Sequence, residues 1–171
     1  TIGACMVYQG VLHVYGPAGT RQESLSAFFL GPGNTTLKNG EVVFALHFPV
    51  PPPGCVGKYI KLGRNAVGDL AIVGVTVLGY PDPGTRSGYR FRLVLASVAP
   101  VPLAPVQAEA LLAERPIRSE TIAEAAQAAM QACSPIDDVR GSALYRRLMV
   151  RNLTKKALTE VWQQLSEKPR V

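Results

Sequence analysis

The segment from Lys58 to Ala71 combines the residue types most suited to binding chemistry: an aromatic side chain, two lysines and a loop containing glycine and asparagine. If the segment begins as a β-strand, Tyr59 and Lys61 project to the same face, because alternate strand residues share a face. An aromatic ring beside a cation is a suitable platform for a flat anionic cofactor. Tyrosine–lysine neighbours on strands are also common in ordinary surface packing, so the pair alone leaves both interpretations open.

No self-contained catalytic set accompanies this pair in the sequence. The two histidines, His13 and His47, each stand alone on a predicted strand, which favours a structural role over catalysis. The cysteines lie far apart, at Cys5, Cys55 and Cys133, without a CxxC pair or a Cys/His cluster. We therefore predict no catalytic residue, no metal site and no disulfide framework, and we expect the protein in the reducing cytoplasm.

Two short motifs have a functional and a structural interpretation. Residues 31–35, Gly-Pro-Gly-Asn-Thr, could form a phosphate cradle, but they lack the lysine and the following helix of a Walker loop, so a turn is predicted. The neighbours Asp137 and Asp138 could act as paired carboxylates. Adjacent carboxylates before a helix more often serve as caps and partners of the helix dipole, and we predict that role for them.

The elements that must position these residues are strands first and helices last. Alternation of apolar and polar residues and a high content of β-branched residues predict five strands, at residues 6–15, 41–50, 56–62, 70–78 and 89–98. One short helical turn is predicted at residues 25–30. Residues 70–78 are apolar on both faces, which predicts a central strand. The last three strands, separated by turns, are predicted to form an antiparallel meander.

Helical patterns begin after residue 104. They predict helices over residues 106–114, over 119–132 with Ser119 as N-cap, and over 142–165. On the last helix an apolar stripe is predicted, while the arginines are predicted to face solvent. The stripe is formed by Leu144, Leu148, Leu153, Ala157, Leu158, Val161 and Leu165. The fold class is therefore α+β, with a three-stranded antiparallel meander packed against three helices.

A proline-rich stretch at residues 49–54 is the best domain boundary, because it can be neither helix nor central strand. It divides the chain into residues 1–53 and residues 55–171.

The formal net charge of +6 is concentrated at the C-terminal end, where residues 140–171 carry eight Lys/Arg and two Glu. A basic final helix could bind an acidic partner or nucleic acid, but without a base-reading motif a solvated helix face is preferred. No stretch is long and apolar enough for membrane insertion.

Four stretches of the chain, in order, resemble the FAD-carrying subunit of molybdenum hydroxylases of the carbon monoxide dehydrogenase and xanthine dehydrogenase type. One is the Tyr-x-Lys-x-x-Arg pattern at Tyr59, Lys61 and Arg64, followed by Gly-Asp-Leu-Ala at 68–71. The others are residues 28–41 (FFLGPGNTTLKNGE), residues 97–109 (SVAPVP to QAE) and residues 135–147 (PIDDVRGSALYRR). The likeness covers essentially the whole chain.

The resemblance implies a function that the residues alone do not. It implies that Val43, Tyr59 and Lys61 contact FAD, that the loop 63–68 flanks the flavin, and that FAD passes electrons from iron–sulfur clusters to an acceptor. The partners implied are a molybdopterin large subunit and an iron–sulfur small subunit, and nucleic acid is not expected.

The family's two glycine-rich phosphate loops do not occur in these residues. We therefore expect residues 1–53 to be the end of the second FAD-binding subdomain and residues 55–171 to be the complete C-terminal domain. On this interpretation the chain holds only part of the FAD site and is inactive in isolation. The alternative is a non-enzymatic α+β interaction module that uses the basic helix.

Overall fold

The computed structural model describes residues 1–65 and 68–167, and it confirms the α+β fold class. The N-terminal part contains two short helices and five strands; these are α1 (Ile2–Val7), β1 (Val11–Gly16), β2 (Gly19–Ser24), α2 (Leu25–Phe28), β3 (Phe29–Gly31), β4 (Asn34–Thr35) and β5 (Val42–His47). The rest of the chain forms β6 (Val56–Leu62), β7 (Val73–Pro81), β8 (Tyr89–Ala96), α3 (Val106–Glu114), α4 (Ser119–Ala132) and α5 (Ala143–Glu167).

The N-terminal strands form a small antiparallel sheet in the order β2-β1-β5, beside the β3–β4 hairpin. Its core is a cluster of buried apolar side chains: Leu12, Val14, Leu25 and Phe28. The prediction of one strand over residues 6–15 is wrong at its start, because residues up to Val7 are helical and the strand begins at Val11. The sequence pattern does not predict strand β2, because its sequence, GTRQES, is polar and shows no apolar alternation. The strand forms by antiparallel pairing with β1.

The second sheet is the predicted antiparallel meander, in the order β6-β7-β8. Strand β6 has the predicted bounds, and Tyr59 pairs with Thr76 while Lys61 pairs with Gly74. Strand β7 is central and buried on both faces, as its composition predicts. It begins at Val73, three residues later than predicted, so Leu70 and Ala71 precede it.

The main core lies between this sheet and the three long helices. Helix α5 packs on β6 and β7, helix α3 packs on β8, and α4 lies against α3 and α5. Part of the opposite sheet face is covered by α1, whose Val7 is buried against Leu78, Tyr80 and Val94. This packing is the physical reason why the first residues form a helix: the sheet offers α1 an apolar surface that outweighs the strand propensity of the sequence.

The predicted apolar stripe of the last helix is correct at its C-terminal end and wrong at its start. Ala157, Leu158 and Val161 are fully buried, whereas Leu144 is 68% exposed. Arg146, predicted to face solvent, is only 3% exposed. One cap also differs from its prediction, because Arg118 occupies the N-cap of α4 and Ser119 is the first helical residue.

Candidate functional site

Strand β6 places Tyr59 and Lys61 together, as its alternation predicts. Both side chains are exposed and lie on the sheet face opposite the three long helices. Lys58 has the other orientation, since its ammonium pairs with Glu160 of α5 over 2.5 Å. Ile60 and Leu62 also pack toward the helical core. The face bearing the tyrosine and the second lysine is therefore not occupied by the long helices.

A short loop after β6 fixes the position of the lysine head group. The ammonium of Lys61 donates to the backbone oxygen of Asp69 over 2.8 Å. The carboxylate of Asp69 accepts the backbone N–H of Arg64 over 2.5 Å, and this bond is the main cause of the lowered pKa of Asp69. The base of the loop is closed by the backbone N–H of Ile72, which donates to Leu62 over 2.7 Å. Of the predicted flavin-flanking loop 63–68, residues 66 and 67 lie outside the described residues.

Val43, the third predicted contact residue, has a different environment. It lies on β5 in the N-terminal sheet, where it is half-buried and packs against the cluster of Leu12, Val14, Leu25 and Phe28. Strand β5 belongs to another sheet than β6. The structure thus brings Tyr59 and Lys61 together, and it places Val43 in the small N-terminal core.

A buried arginine that the sequence pattern does not predict lies at the junction of the second sheet and the last helix. The guanidinium of Arg146 donates to the backbone oxygens of Ile72 and Ser97, each over 2.8 Å, and to Asp138 Oδ1 over 2.7 Å. It therefore links α5 to the entry of β7 and to the residue that follows β8. The pair of acidic residues at 137–138 before the helix is the available signal, but the sequence pattern predicts a capping role for both.

The two acidic residues have distinct roles. Asp137 is the predicted cap, because its Oδ1 accepts the backbone N–H of Ala143, the first residue of α5, over 2.7 Å. Asp138 binds Arg146 and also Arg140 at 3.1 Å. The backbone N–H of Arg140 and the nearby guanidinium of Arg146 lower the pKa of Asp138 to about 2.

The two histidines lie near each other in the N-terminal sheet. His13 and His47 are on adjacent strands with ring centroids 6.1 Å apart. Across residues 1–65 and 68–167, no group of three or more His, Cys, Asp or Glu side chains is arranged to hold a metal ion. The Gly-Pro-Gly segment is a turn, as predicted, joining β3 to β4 with Gly33 at a φ of +71°. Within the described part of the chain, no helix is both long and apolar enough to cross a membrane.

Part of the basic charge of α5 is used within the chain. Arg146 is buried, and Arg147 donates to the backbone oxygen of Cys133 over 3.0 Å. Glu160, already paired with Lys58, lies 4.0 Å from Lys156. The predicted cluster extends to Lys168 and Arg170, which lie outside the described residues. Contacts within the chain therefore account for part of the basic composition of this helix.

A three-stranded antiparallel meander, backed by three helices and presenting an exposed tyrosine–lysine pair, defines the class of domain. Residues 58–161 match the model of the CO dehydrogenase flavoprotein C-terminal domain, and the chain belongs to this family. The match covers β6 from Lys58 onward, β7, β8, α3, α4 and most of α5. It also includes Tyr59, Lys61 and the Arg146–Asp138 junction.

Curated relatives extend the likeness beyond the family match. The xanthine dehydrogenase FAD-binding subunit of Escherichia coli O157:H7 is 27% identical over 156 residues, covering 91% of this chain and 53% of the relative. The carbon monoxide dehydrogenase medium chain of Hydrogenophaga pseudoflava is 33% identical over 147 residues, covering 86% of this chain and 50% of the relative. The chain thus spans about half the length of these relatives.

Solved structures agree with the sequence matches. A carbon monoxide dehydrogenase structure from Hydrogenophaga pseudoflava superimposes with a TM-score of 0.88 at 32% identity, covering 95% of this chain and 56% of that chain. A Cu,Mo-CO dehydrogenase superimposes with a TM-score of 0.86 at 25% identity, covering 95% and 56%. These findings confirm the resemblance to the FAD-binding subunits of molybdenum hydroxylases.

Proposed function

We propose that this chain forms part of the FAD-binding subunit of a molybdenum hydroxylase and that its second sheet supplies one wall of the flavin site. The observation that carries the proposal is the pairing of Tyr59 and Lys61 on the exposed face of β6, inside the segment that matches the flavoprotein domain. The relatives named above are subunits or medium chains of oxidoreductases. We assign this chain to the same kind of complex.

The residues present fit a flat, anionic cofactor on chemical grounds. Tyr59 is 52% exposed, and its ring offers an aromatic surface for stacking. The ammonium of Lys61 carries three N–H donors, and the bond to Asp69 uses one of them. Within residues 1–65 and 68–167 the other two donors bond to no protein acceptor, and they can reach carbonyl or anionic acceptors of a ligand on the same face. We propose Val43 as a third, apolar contact, reached from the N-terminal sheet.

FAD would supply the redox chemistry, and the protein would supply binding, orientation and electrostatics. In this proposal Tyr59 orients the isoalloxazine ring by stacking, and Lys61 places a positive charge near it. A positive charge favours the reduced, anionic form of the ring through Coulomb attraction. The loop held by Asp69 keeps that charge in position.

We further propose that electrons reach this subunit from an iron–sulfur small subunit, that a molybdopterin large subunit oxidises the substrate, and that the flavin passes the electrons to an acceptor. Residues 1–53 would belong to the second FAD-binding subdomain and residues 55–171 to the C-terminal domain. The contact of α1 with the second sheet joins these two parts through an apolar cluster.

A pair of lysine variants tests the proposal. Lys61→Met keeps the length of the side chain and removes its charge, so it should lower the flavin reduction potential, or weaken FAD retention, in the FAD-loaded full-length protein. Lys58→Met is the matched control, because Lys58 lies on the same strand but faces Glu160 on the helical side. Potential and flavin content are measured for both variants. An unchanged potential and flavin content in Lys61→Met would remove the assigned role of Lys61.

A further inference from the structure

A glycine lies beneath the tyrosine ring on the exposed face of the second sheet. Gly74 on β7 pairs with Lys61, and Tyr59 is two residues along the neighbouring strand, so all three share this face. A methyl group at the Cβ position of residue 74 would lie 3.5 Å from Tyr59 Oη and 3.6 Å from Tyr59 Cε2. The phenol ring therefore leans across the space that a side chain of residue 74 would occupy.

Backbone geometry does not explain this glycine. Gly74 is absent from the glycines of positive φ, so its conformation is one that other residues adopt. Glycine in the interior of a central strand weakens the strand, and it often marks the close approach of another group. The group that approaches here is the ring of Tyr59. The methyl of Ala96 limits the same space from the other side, 3.3 Å from the Cβ position of residue 74.

We propose that Gly74 is a positioning residue for the flavin, acting through Tyr59. Because residue 74 has no side chain, the ring of Tyr59 can pack directly against the backbone of β7. This contact sets the distance of the ring from the sheet and its tilt, and thereby the position of the aromatic surface on which the isoalloxazine stacks. The proposal rests on the proposed function, because it assumes that Tyr59 stacks on FAD. Residue 74 itself need not touch the cofactor.

The test is a double-mutant cycle between residues 59 and 74, read out as the dissociation constant of FAD in the full-length protein. Tyr59→Ala removes the stacking surface and should weaken FAD binding by roughly 5- to 150-fold, since aromatic stacking contributes about 1–3 kcal/mol. Gly74→Val adds branched carbons that displace the ring, so a similar loss is expected. In the double variant the loss should equal that of Tyr59→Ala alone, because the ring that the introduced valine side chain would displace is gone.

A graded variant and a stability measurement complete the test. Gly74→Ala places one methyl 3.5 Å from Tyr59 Oη, an ordinary contact distance, and 3.3 Å from the methyl of Ala96. It should therefore leave the ring nearly in place and weaken FAD binding much less than Gly74→Val. Urea unfolding of each variant separates folding defects from binding. If Gly74→Val weakens FAD binding by the same factor in the wild-type protein and in the Tyr59→Ala variant, the effect does not act through the ring and the proposal is overturned. Unchanged FAD binding in both Gly74 variants would overturn it as well. If Tyr59→Ala itself leaves FAD binding unchanged, the assumed stacking role of Tyr59 fails instead.

Discussion

The guanidinium of Arg146 lies 2.7 Å from the carboxylate of Asp138 and is almost completely buried. Its other donors reach the backbone oxygens of Ile72, just before β7, and Ser97, just after β8. Helix α5 is thereby tied to the end of the sheet at which the Lys61 loop closes. Breaking a buried pair by removing one partner leaves the other groups without compensation.

Arg146→Met should reduce the free energy of unfolding by about 3–5 kcal/mol, because Met fills space but offers no donors to Asp138 or to the two backbone oxygens. Chemical denaturation with urea measures the change. Arg151→Met is the matched control on the same helix, since Arg151 is exposed and should change stability by no more than about 0.5 kcal/mol. Equal losses from the two variants would show that the burial of Arg146 contributes no special stability.

Asp138 makes the stability of the junction depend on pH. Its pKa in the folded protein is about 2, below the ordinary value of 3.8. A depressed folded pKa stabilises the fold above the unfolded pKa, and the contribution is lost as the pH falls through the folded pKa. The loss should therefore occur between about pH 4 and pH 2.

The comparison of wild type with Asp138→Asn isolates this group. The Asn variant should be less stable at pH 6, and the difference in unfolding free energy should shrink as the pH falls from about 4 to about 2. Glu41, whose pKa is also lowered to about 2 by Arg21, titrates in the same window but is present in both proteins. Urea unfolding at pH 6, 4, 3 and 2 measures the difference. A difference that stays constant over this range would contradict the assigned pairing.

The contrast between β6 and Arg146 shows what the sequence can and cannot predict. Alternation of Tyr59, Ile60 and Lys61 depends only on local strand geometry, so the pattern predicts both the bounds of β6 and the shared face correctly. The burial of Arg146 depends on acceptors at residues far away in the chain, which a helical pattern does not contain. The same limit applies to Leu144, which fits the apolar periodicity of α5 but is 68% exposed, because periodicity alone does not show where along the helix the core begins.

Two leucines on α5 provide a direct test of the orientation of this helix. Leu158 is fully buried in the main core, whereas Leu144 is 68% exposed. Leu158→Ala should therefore cost about 2–5 kcal/mol through lost burial and the cavity that remains. Leu144→Ala should change stability by no more than about 0.5 kcal/mol, because it is a surface substitution on the same helix. Comparable losses in urea unfolding would mean that the helix presents a different face to the sheet.

The glycines on the two faces of the second sheet should respond differently to alanine. A methyl at Gly79 would lie 2.8 Å from Leu165 Cδ1 and 2.9 Å from both Phe91 Cε1 and Val161 Cγ1. These three side chains are buried, so they have little room to move. Overpacking of this kind costs about 1–3 kcal/mol. A methyl at Gly57, on the opposite face, would have its nearest neighbours at 3.8 Å, an ordinary contact distance.

We therefore expect Gly79→Ala to destabilise the protein and Gly57→Ala to be neutral or stabilising by up to about 1 kcal/mol, since alanine restricts the unfolded chain. Neither glycine has a positive φ, so backbone strain does not enter the comparison. Leu165→Ala removes the closest neighbour of residue 79 and leaves a cavity beside it. In the double variant Gly79→Ala/Leu165→Ala, the added methyl enters that cavity, and the combined loss should be smaller than the sum of the two single losses. Strict additivity in urea unfolding would show that Leu165 is not what makes residue 79 too crowded for a methyl group.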